Sequence, residues 1–118
     1  MDPKQVAHSY FDGLSGKNMS AVPYAEDAIL WAPLGPDGLE KPIRGRPAIL
    51  AFFEGVFPIL ERVELKNLLA EGEWVCGRAD ITLSQPPGAV LRVSDVFHVI
   101  DGQISEQENH YDPRPALG

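Results

Sequence analysis

Asp95 is the first side chain in this sequence whose setting suggests proton transfer. It lies in an otherwise apolar alternation, in which Val93, Phe97 and Val99 share its parity. Because successive side chains of a β-strand point to opposite faces, these four side chains would share one face of a sheet. A carboxyl group in such a row either sits at a wet rim or loses its water, and loss of water raises its pKa. The pattern alone favours a rim residue that is hydrogen-bonded to a backbone amide, with a desolvated carboxyl group that could transfer a proton as the alternative.

Arg78 and Asp80 form a second candidate pair on the preceding predicted strand. They are two residues apart, so they share a face with Trp74, Cys76 and Thr82. The spacing leaves two interpretations open. The pair either points into a pocket, where the carboxyl group would move a proton, or forms an ordinary ion pair on the exposed side of the sheet, which contributes little energy.

The last predicted strand and the first helix add further polar groups. Asn109 and Tyr111 share one parity with Gln107. Tyr10 lies on the apolar side of the first helix, where it is either a core aromatic or a hydrogen-bond donor. We expect an apolar chamber with a few polar groups, which suits a mostly hydrophobic ligand with one or two oxygens. Its predicted lining is Leu30, Ala32, Phe53, Val93, Phe97, Val99, Tyr10, Arg78, Asp80, Asp95, Asn109 and Tyr111.

Other kinds of chemistry find little support in the sequence. His8 lies on the wet side of the first helix, and His98 and His110 share the outward parity of their strands. No set of His, Asp and Glu has metal-ligand spacing, and Cys76 is the only cysteine. No glycine-rich phosphate loop follows a strand. The sequence therefore predicts no metal site and no cofactor.

Helices and strands must position these side chains. The order in which the sequence predicts them indicates an α+β fold. Asp2 and Pro3 open a helix with apolar residues at helical spacing, and a short helical turn is expected over 19–24. A short strand at 28–32 and a loop over 33–47, part of which would line a mouth, precede a second helix that begins at Pro47. Segregated helices and strands favour helices laid over one face of a curved sheet. Its remaining strands are predicted at 62–70, 73–83, 89–100 and 103–112, with tight turns between them.

Size and charge limit the remaining possibilities. The chain has 118 residues, of which 44% are hydrophobic, and a net charge of −7. This composition is typical of one globular domain, which would span 1–118. A negative surface is a poor match for nucleic acid, and no apolar stretch reaches the ~20 residues that cross a membrane. Because no secretory signal opens the sequence, we expect a cytoplasmic protein.

Three segments, at 24–28, 43–49 and 95–106, resemble the SnoaL-like group of the nuclear transport factor 2-like superfamily. This superfamily includes ketosteroid isomerase, limonene epoxide hydrolase and polyketide cyclases. The resemblance covers nearly the whole chain and is more specific for the fold than for a reaction, because one scaffold hosts enzymes, binding modules and interaction domains. It implies a cystatin-like cone, in which a curved antiparallel sheet wraps around the N-terminal helices and encloses a pocket.

The resemblance also implies roles for single residues. Asp95 falls at the position of the ketosteroid isomerase acid that donates to the substrate oxyanion, and Tyr10 at that of its hydrogen-bonding tyrosine. Ala32 occupies the position of the proton-shuttling aspartate, and it cannot carry a proton. Arg78 and Asp80 resemble the pair with which limonene epoxide hydrolase protonates the epoxide oxygen.

Asn109 departs from two of the related patterns. It stands where limonene epoxide hydrolase has its water-activating aspartate and where polyketide cyclases have an acid/base aspartate. Leu30 and Ala32 replace the residues that hold the water. An amide can orient water but does not accept its proton at neutral pH.

Two hypotheses follow from these patterns. The first is a cofactor-free enzyme that uses general acid/base chemistry, such as isomerisation, dehydration, cyclisation or epoxide opening, on a hydrophobic oxygenated molecule. Asp80, set by Arg78, would transfer the proton. Asp95 and Tyr10 would stabilise charge on oxygen, and Asn109 would orient substrate or water.

The second hypothesis is a ligand-binding or protein-interaction domain that keeps the cone without catalysis. In either case the resemblance implies a homodimer formed through the outer sheet face, with a solvated face as the alternative. The candidate interface residues on that face are Val96, His98, Ile100 and His110.

Overall fold

Two long helices and six strands make up most of the structure, a computed structural model that describes residues 1–118. The helices are α1 (Pro3–Ser15), α2 (Arg46–Val56) and a short α3 (Arg114–Leu117). One turn of 3₁₀ helix at Phe57–Ile59 follows α2. None of the helices is both long enough and apolar enough to cross a membrane. The strands are β1 (Tyr24–Trp31), β2 (Ile43–Arg44), β3 (Leu60–Glu71), β4 (Trp74–Leu83), β5 (Val90–Ile100) and β6 (Gln103–His110).

Helix α1 begins where the sequence predicts, at a capping box. The backbone N–H of Gln5 donates to the Asp2 side chain at 2.8 Å, and the Gln5 side chain accepts from the Asp2 backbone at 2.9 Å. These bonds satisfy amides that have no partner within the helix. Gly16 ends the helix, and Lys17 follows in the left-handed region with φ 55°. The residues at helical spacing, Val6, Ala7, Tyr10, Phe11 and Leu14, are buried, as expected.

The sheet has the order β2-β1-β6-β5-β4-β3. Strands β3 to β6 form the expected antiparallel meander, with bounds within a few residues of those predicted. The expectation of an antiparallel sheet is wrong for one pair, because β1 lies parallel to β6. These two strands are far apart in the sequence, so no hairpin forces them to run in opposite directions.

The segment between α1 and β1 also differs from expectation. The predicted helical turn over 19–24 is only a hydrogen-bonded turn, in which the Val22 amide donates to the Met19 carbonyl at 3.1 Å. Strand β1 already begins at Tyr24 rather than at 28. Arg46 holds this segment in place, because its guanidinium donates to the backbone carbonyls of Ser20, Val22 and Tyr24 at 3.1–3.3 Å.

Helix α1 lies directly on the inner, helix-covered face of the sheet, and Gly77 of β4 permits the approach. A Cβ atom at Gly77 would lie 2.6 Å from Cε2 of Phe11 and 3.0 Å from Cδ2 of Leu68. The helices thus cover one face of a curved sheet, which confirms the α+β cone. The space left between helices and sheet holds the candidate site.

Candidate functional site

A small cavity of about 60 Å³ lies between α1, α2 and the inner face of the sheet. Of its 14 lining residues 13 are hydrophobic, and Asn109 is the exception. Tyr10 and Tyr111 add phenol groups to this apolar wall. A cavity of this composition accepts a mostly apolar ligand and offers hydrogen bonds only at a few points.

Several residues predicted to line the chamber do so. Phe53 and Val93 line the cavity together with Tyr10, Asn109 and Tyr111. Leu34, from the loop between β1 and β2, is another wall residue, so part of that loop does line the mouth.

Four other residues that were predicted to line the chamber lie outside the cavity wall, so the prediction is wrong for them. Phe97 is separated from the cavity by Tyr10, whose ring lies 5.4 Å from that of Phe97 and 5.5 Å from that of Phe53. Leu30, Ala32 and Val99 are almost fully buried in the core. The helices fill this part of the cone, because α2 packs against β1 and α1 against β5.

A buried polar cluster, which we call the polar floor, lies behind the cavity wall, and Asn109 is its only member that lines the cavity. Asp95 and Asn109 face each other across β5 and β6, and the Asn109 amide donates to Oδ1 of Asp95. Two residues before Asn109 on the same strand, Gln107 accepts a hydrogen bond at Oε1 from the Tyr24 hydroxyl. Oδ2 of Asp95 and Nε2 of Gln107 are buried without a hydrogen-bond partner. Buried polar atoms are almost always paired, so Oδ2 of Asp95 is left available to a proton or a hydrogen-bond donor, and Nε2 of Gln107 to an acceptor.

Burial also changes the acidity of this cluster. Loss of water raises the pKa of Asp95 from 3.8 to about 7, although the amides of Asn109 and Gln107 oppose the shift. Burial, with a smaller contribution from Asp95, raises the pKa of Tyr10 and of Tyr24 well above 10. Near neutral pH the phenols therefore keep their protons, whereas Asp95 exchanges its own readily.

Arg78 and Asp80 lie outside the chamber, so their predicted placement is wrong. They point to the outer face of the sheet, where Arg78 donates to Oδ1 of Asn67 at 3.4 Å. Nζ of Lys66 lies 3.6 Å from Oδ2 of Asp80. Arg78 and Asp80 thus contact Asn67 and Lys66 and do not form an ion pair with each other, but the structure favours the exposed alternative. The reason is that the other parity set of β4 is wholly apolar and takes the inner face: Val75, Gly77, Ala79, Ile81 and Leu83.

The histidines lie on outer surfaces, as the sequence predicts. His8 contacts Asp12, His98 contacts Glu73 and His110 contacts Glu108, each at 3.0–3.1 Å. No group of three or more His, Cys, Asp or Glu side chains is arranged to hold a metal ion.

Sequence reasoning missed two members of the polar floor as functional candidates. Gln107 has the correct inward parity, but nothing in the sequence links it to a partner. Tyr24 lies 83 residues away from it along the chain. Most of the α2 side of the cavity, formed by Phe52 and Val56, was also not expected.

Comparison with known protein families and solved structures agrees with the fold. A family model for a SnoaL-like domain matches residues 7–107. Among curated proteins, no sequence matches this chain.

Solved structures share the fold at low sequence identity. An NTF2-like protein of unknown function from Cytophaga hutchinsonii is 19% identical, with a TM-score of 0.82 over 100% of this chain and 96% of its own. A candidate ketosteroid isomerase from Kribbella flavida is 25% identical, with a TM-score of 0.72 over 93% of this chain and 77% of its own. A candidate polyketide cyclase from Sinorhizobium meliloti is 21% identical, with a TM-score of 0.75 over 90% and 94%.

Proposed function

Because the chain belongs to the SnoaL-like domain family, we propose that it is a cofactor-free enzyme that moves a proton on a hydrophobic carbonyl compound. One arrangement carries the proposal: the Asp95 carboxyl group, whose pKa burial raises to about 7, lies directly behind an apolar cavity and close to the phenols of Tyr10 and Tyr24. A general base or acid works best when its pKa is near the working pH. Isomerisation and cyclisation, the activities named for two of the similar structures, both include such a transfer.

The proposed step uses Asp95 and Tyr10. Oδ2 of the Asp95 carboxylate takes a proton from the carbon next to the substrate carbonyl, and the electron pair of that C–H bond moves onto the carbonyl oxygen. The Tyr10 hydroxyl donates a hydrogen bond to this oxygen as its negative charge develops. Asp95 then returns the proton to the same carbon or to a carbon further along a conjugated system, which gives the isomer and restores the carboxylate.

Asn109 has a positioning role in this proposal. Its amide donates to Oδ1 of Asp95, which leaves Oδ2 as the free oxygen. Because Asn109 also lines the cavity whereas Asp95 lies behind it, we infer that the oxygen end of the substrate enters between Tyr10 and Asn109.

The test compares two aspartates with the same substitution. The substrate probe is a short linear β,γ-unsaturated ketone, whose conversion to the conjugated isomer increases its ultraviolet absorption. We expect Asp95→Asn to lower the rate by at least about a hundredfold, because the proton-transfer group is lost. Asp80→Asn is the matched control, and it keeps the rate because Asp80 lies on the opposite face of the sheet. A wild-type rate in Asp95→Asn, or an equal loss in Asp80→Asn, contradicts the proposal.

A second candidate function is ligand binding without catalysis. It is favoured by the absence of a second carboxyl group in the chamber, since Ala32 and Asn109 stand at the positions where the related enzymes have theirs. A chain that binds ketones, measured by an increase in its melting temperature, but that has no effect on their isomerisation is a binding module.

A further inference from the structure

The size of the cavity limits which substrates the proposed site can take. About 60 Å³ is less than half of the volume of an engineered cavity of about 150 Å³ that accepts benzene. A ring system does not fit into this space as it stands. A carbonyl group at the end of a slim chain does.

A larger groove lies on the other side of the cavity wall. It has a volume of about 500 Å³ and is open to solvent, and six of its eight lining residues are hydrophobic. Four half-buried side chains line both the cavity and the groove and so form the boundary between them: Leu34, Phe52, Val56 and Ile59. A molecule that is longer than the cavity would pass between these side chains and continue into the groove.

Gly55 keeps the groove open at a point where the fold does not need a glycine. It lies inside α2 and lines the groove, and a Cβ atom there would meet nothing within 4 Å. Gly13 of α1 differs, because its Cβ would lie 2.9 Å from both the Asn18 carbonyl oxygen and Cγ2 of Val22. Glycine inside a helix lowers stability relative to alanine. Neither crowding nor a left-handed backbone accounts for Gly55, and a larger side chain at this position would take up space in the groove.

We propose that the substrate is a linear, uncharged aliphatic molecule, with its single carbonyl oxygen in the cavity and its chain in the groove. This inference rests on the proposed function and adds the substrate class to it. A carboxylate at the leading end is disfavoured, because the cavity wall is apolar and the Asp95 carboxyl group lies directly behind it. A fused-ring ketone is disfavoured by the size of the cavity.

The experiment measures the affinity of methyl ketones from hexanone to undecanone by calorimetry. In the wild type, affinity increases by up to about fourfold for each methylene that enters the groove. Gly55→Leu fills the groove and weakens undecanone binding by at least about tenfold, and it weakens hexanone binding much less because fewer carbons of hexanone reach the groove. Ala48→Leu, at an exposed position of the same helix outside the groove, changes neither affinity. Circular dichroism and the melting temperature verify that both variants are folded.

Three outcomes overturn the inference. The first is an affinity that does not depend on chain length. The second is an equal effect of Gly55→Leu on all the ketones, and the third is tighter binding of a fused-ring ketone such as progesterone than of undecanone. The proposed function fails separately, when Asp95→Asn keeps the isomerisation rate while the ketones still bind along the groove. If no ketone binds at all, both fail.

Discussion

Burial of the Asp95 carboxyl group lowers the stability of the fold, and hydrogen bonding offsets this loss only in part. Asp95 is 1% exposed, and the single hydrogen bond from Asn109 leaves Oδ2 without a partner. The folded chain therefore binds the proton of Asp95 more tightly than the unfolded chain does. A group that destabilises its own fold is typical of a site under functional constraint.

This difference in proton affinity makes stability depend on pH. Between pH 4 and 7 the folded chain keeps a proton on Asp95 that the unfolded chain has released, so the free energy of unfolding decreases as the pH increases through this range. From pH 5 to pH 8 we expect Asp95 to account for a loss of about 3 kcal/mol. Asp95→Asn, which resembles the protonated acid, does not show this loss. Urea denaturation of both proteins at the two pH values measures it, and parallel pH profiles would contradict the shift.

Residue types and parity alone predict only part of the site. The alternation on β5 and β6 correctly gives the inward direction of Asp95 and Asn109. The same rule groups Arg78 with Asp80 but does not say which face of β4 is buried. In the structure, the buried face of β4 is the one whose residues are all apolar. The spacing of Arg78 and Asp80 does not reveal this, because it says nothing about the residues between them.

The contact between Phe11 of α1 and Gly77 of β4 determines how closely α1 approaches the sheet. Gly77→Ala places a Cβ within 2.6 Å of the Phe11 ring, which is itself packed against Tyr10 and Phe97. We expect a loss of about 1 to 3 kcal/mol in the free energy of unfolding. Gly55→Ala is the matched control, and it is neutral or stabilising because its Cβ meets no atom within 4 Å. Equal melting temperatures for the two variants would show that the ring moves aside freely.

The sequence predicts the tight turns well, because a turn depends on residues that are adjacent in the chain. The hairpin turns fall at Gly72 and at Asp101 and Gly102, each with positive φ, where the sequence places tight turns. The parallel pairing of β1 with β6 has no local signal, because it joins segments that are far apart in the chain. Phe53 was predicted to line the cavity, but the rest of the wall that α2 contributes, Phe52 and Val56, has no local signal either.

The outer face of the sheet contributes no residue to the cavity or to the groove. Leu69 and Trp74 are 60% and 46% exposed, and they border a hollow of about 260 Å³ with Cys76 and Val96. The same face carries side chains of both charge signs, among them Lys66 and Asp80, so two copies can pair about a two-fold axis. We therefore expect a homodimer through this face.

Sedimentation equilibrium tests this expectation. The wild type should have twice the 12.9 kDa mass of one chain. Leu69→Glu places a charge in the apolar hollow and should give the single-chain mass. Leu39→Glu, at a leucine that is 51% exposed in the loop after β1, should remain a dimer. A monomeric wild type would leave the face as an ordinary solvated surface.

The position of β6 has a consequence for how the chain is made. It lies between β1 and β5 in the sheet, yet it is the last of the six strands in the sequence. During synthesis on the ribosome, β1 and β5 therefore expose unpaired edges until β6 emerges, and such edges invite association with other chains. The polar floor is completed by the same strand, since Gln107 and Asn109 belong to it. Closure of the sheet and assembly of the polar floor are thus a single late event, and a chain interrupted before β6 has neither.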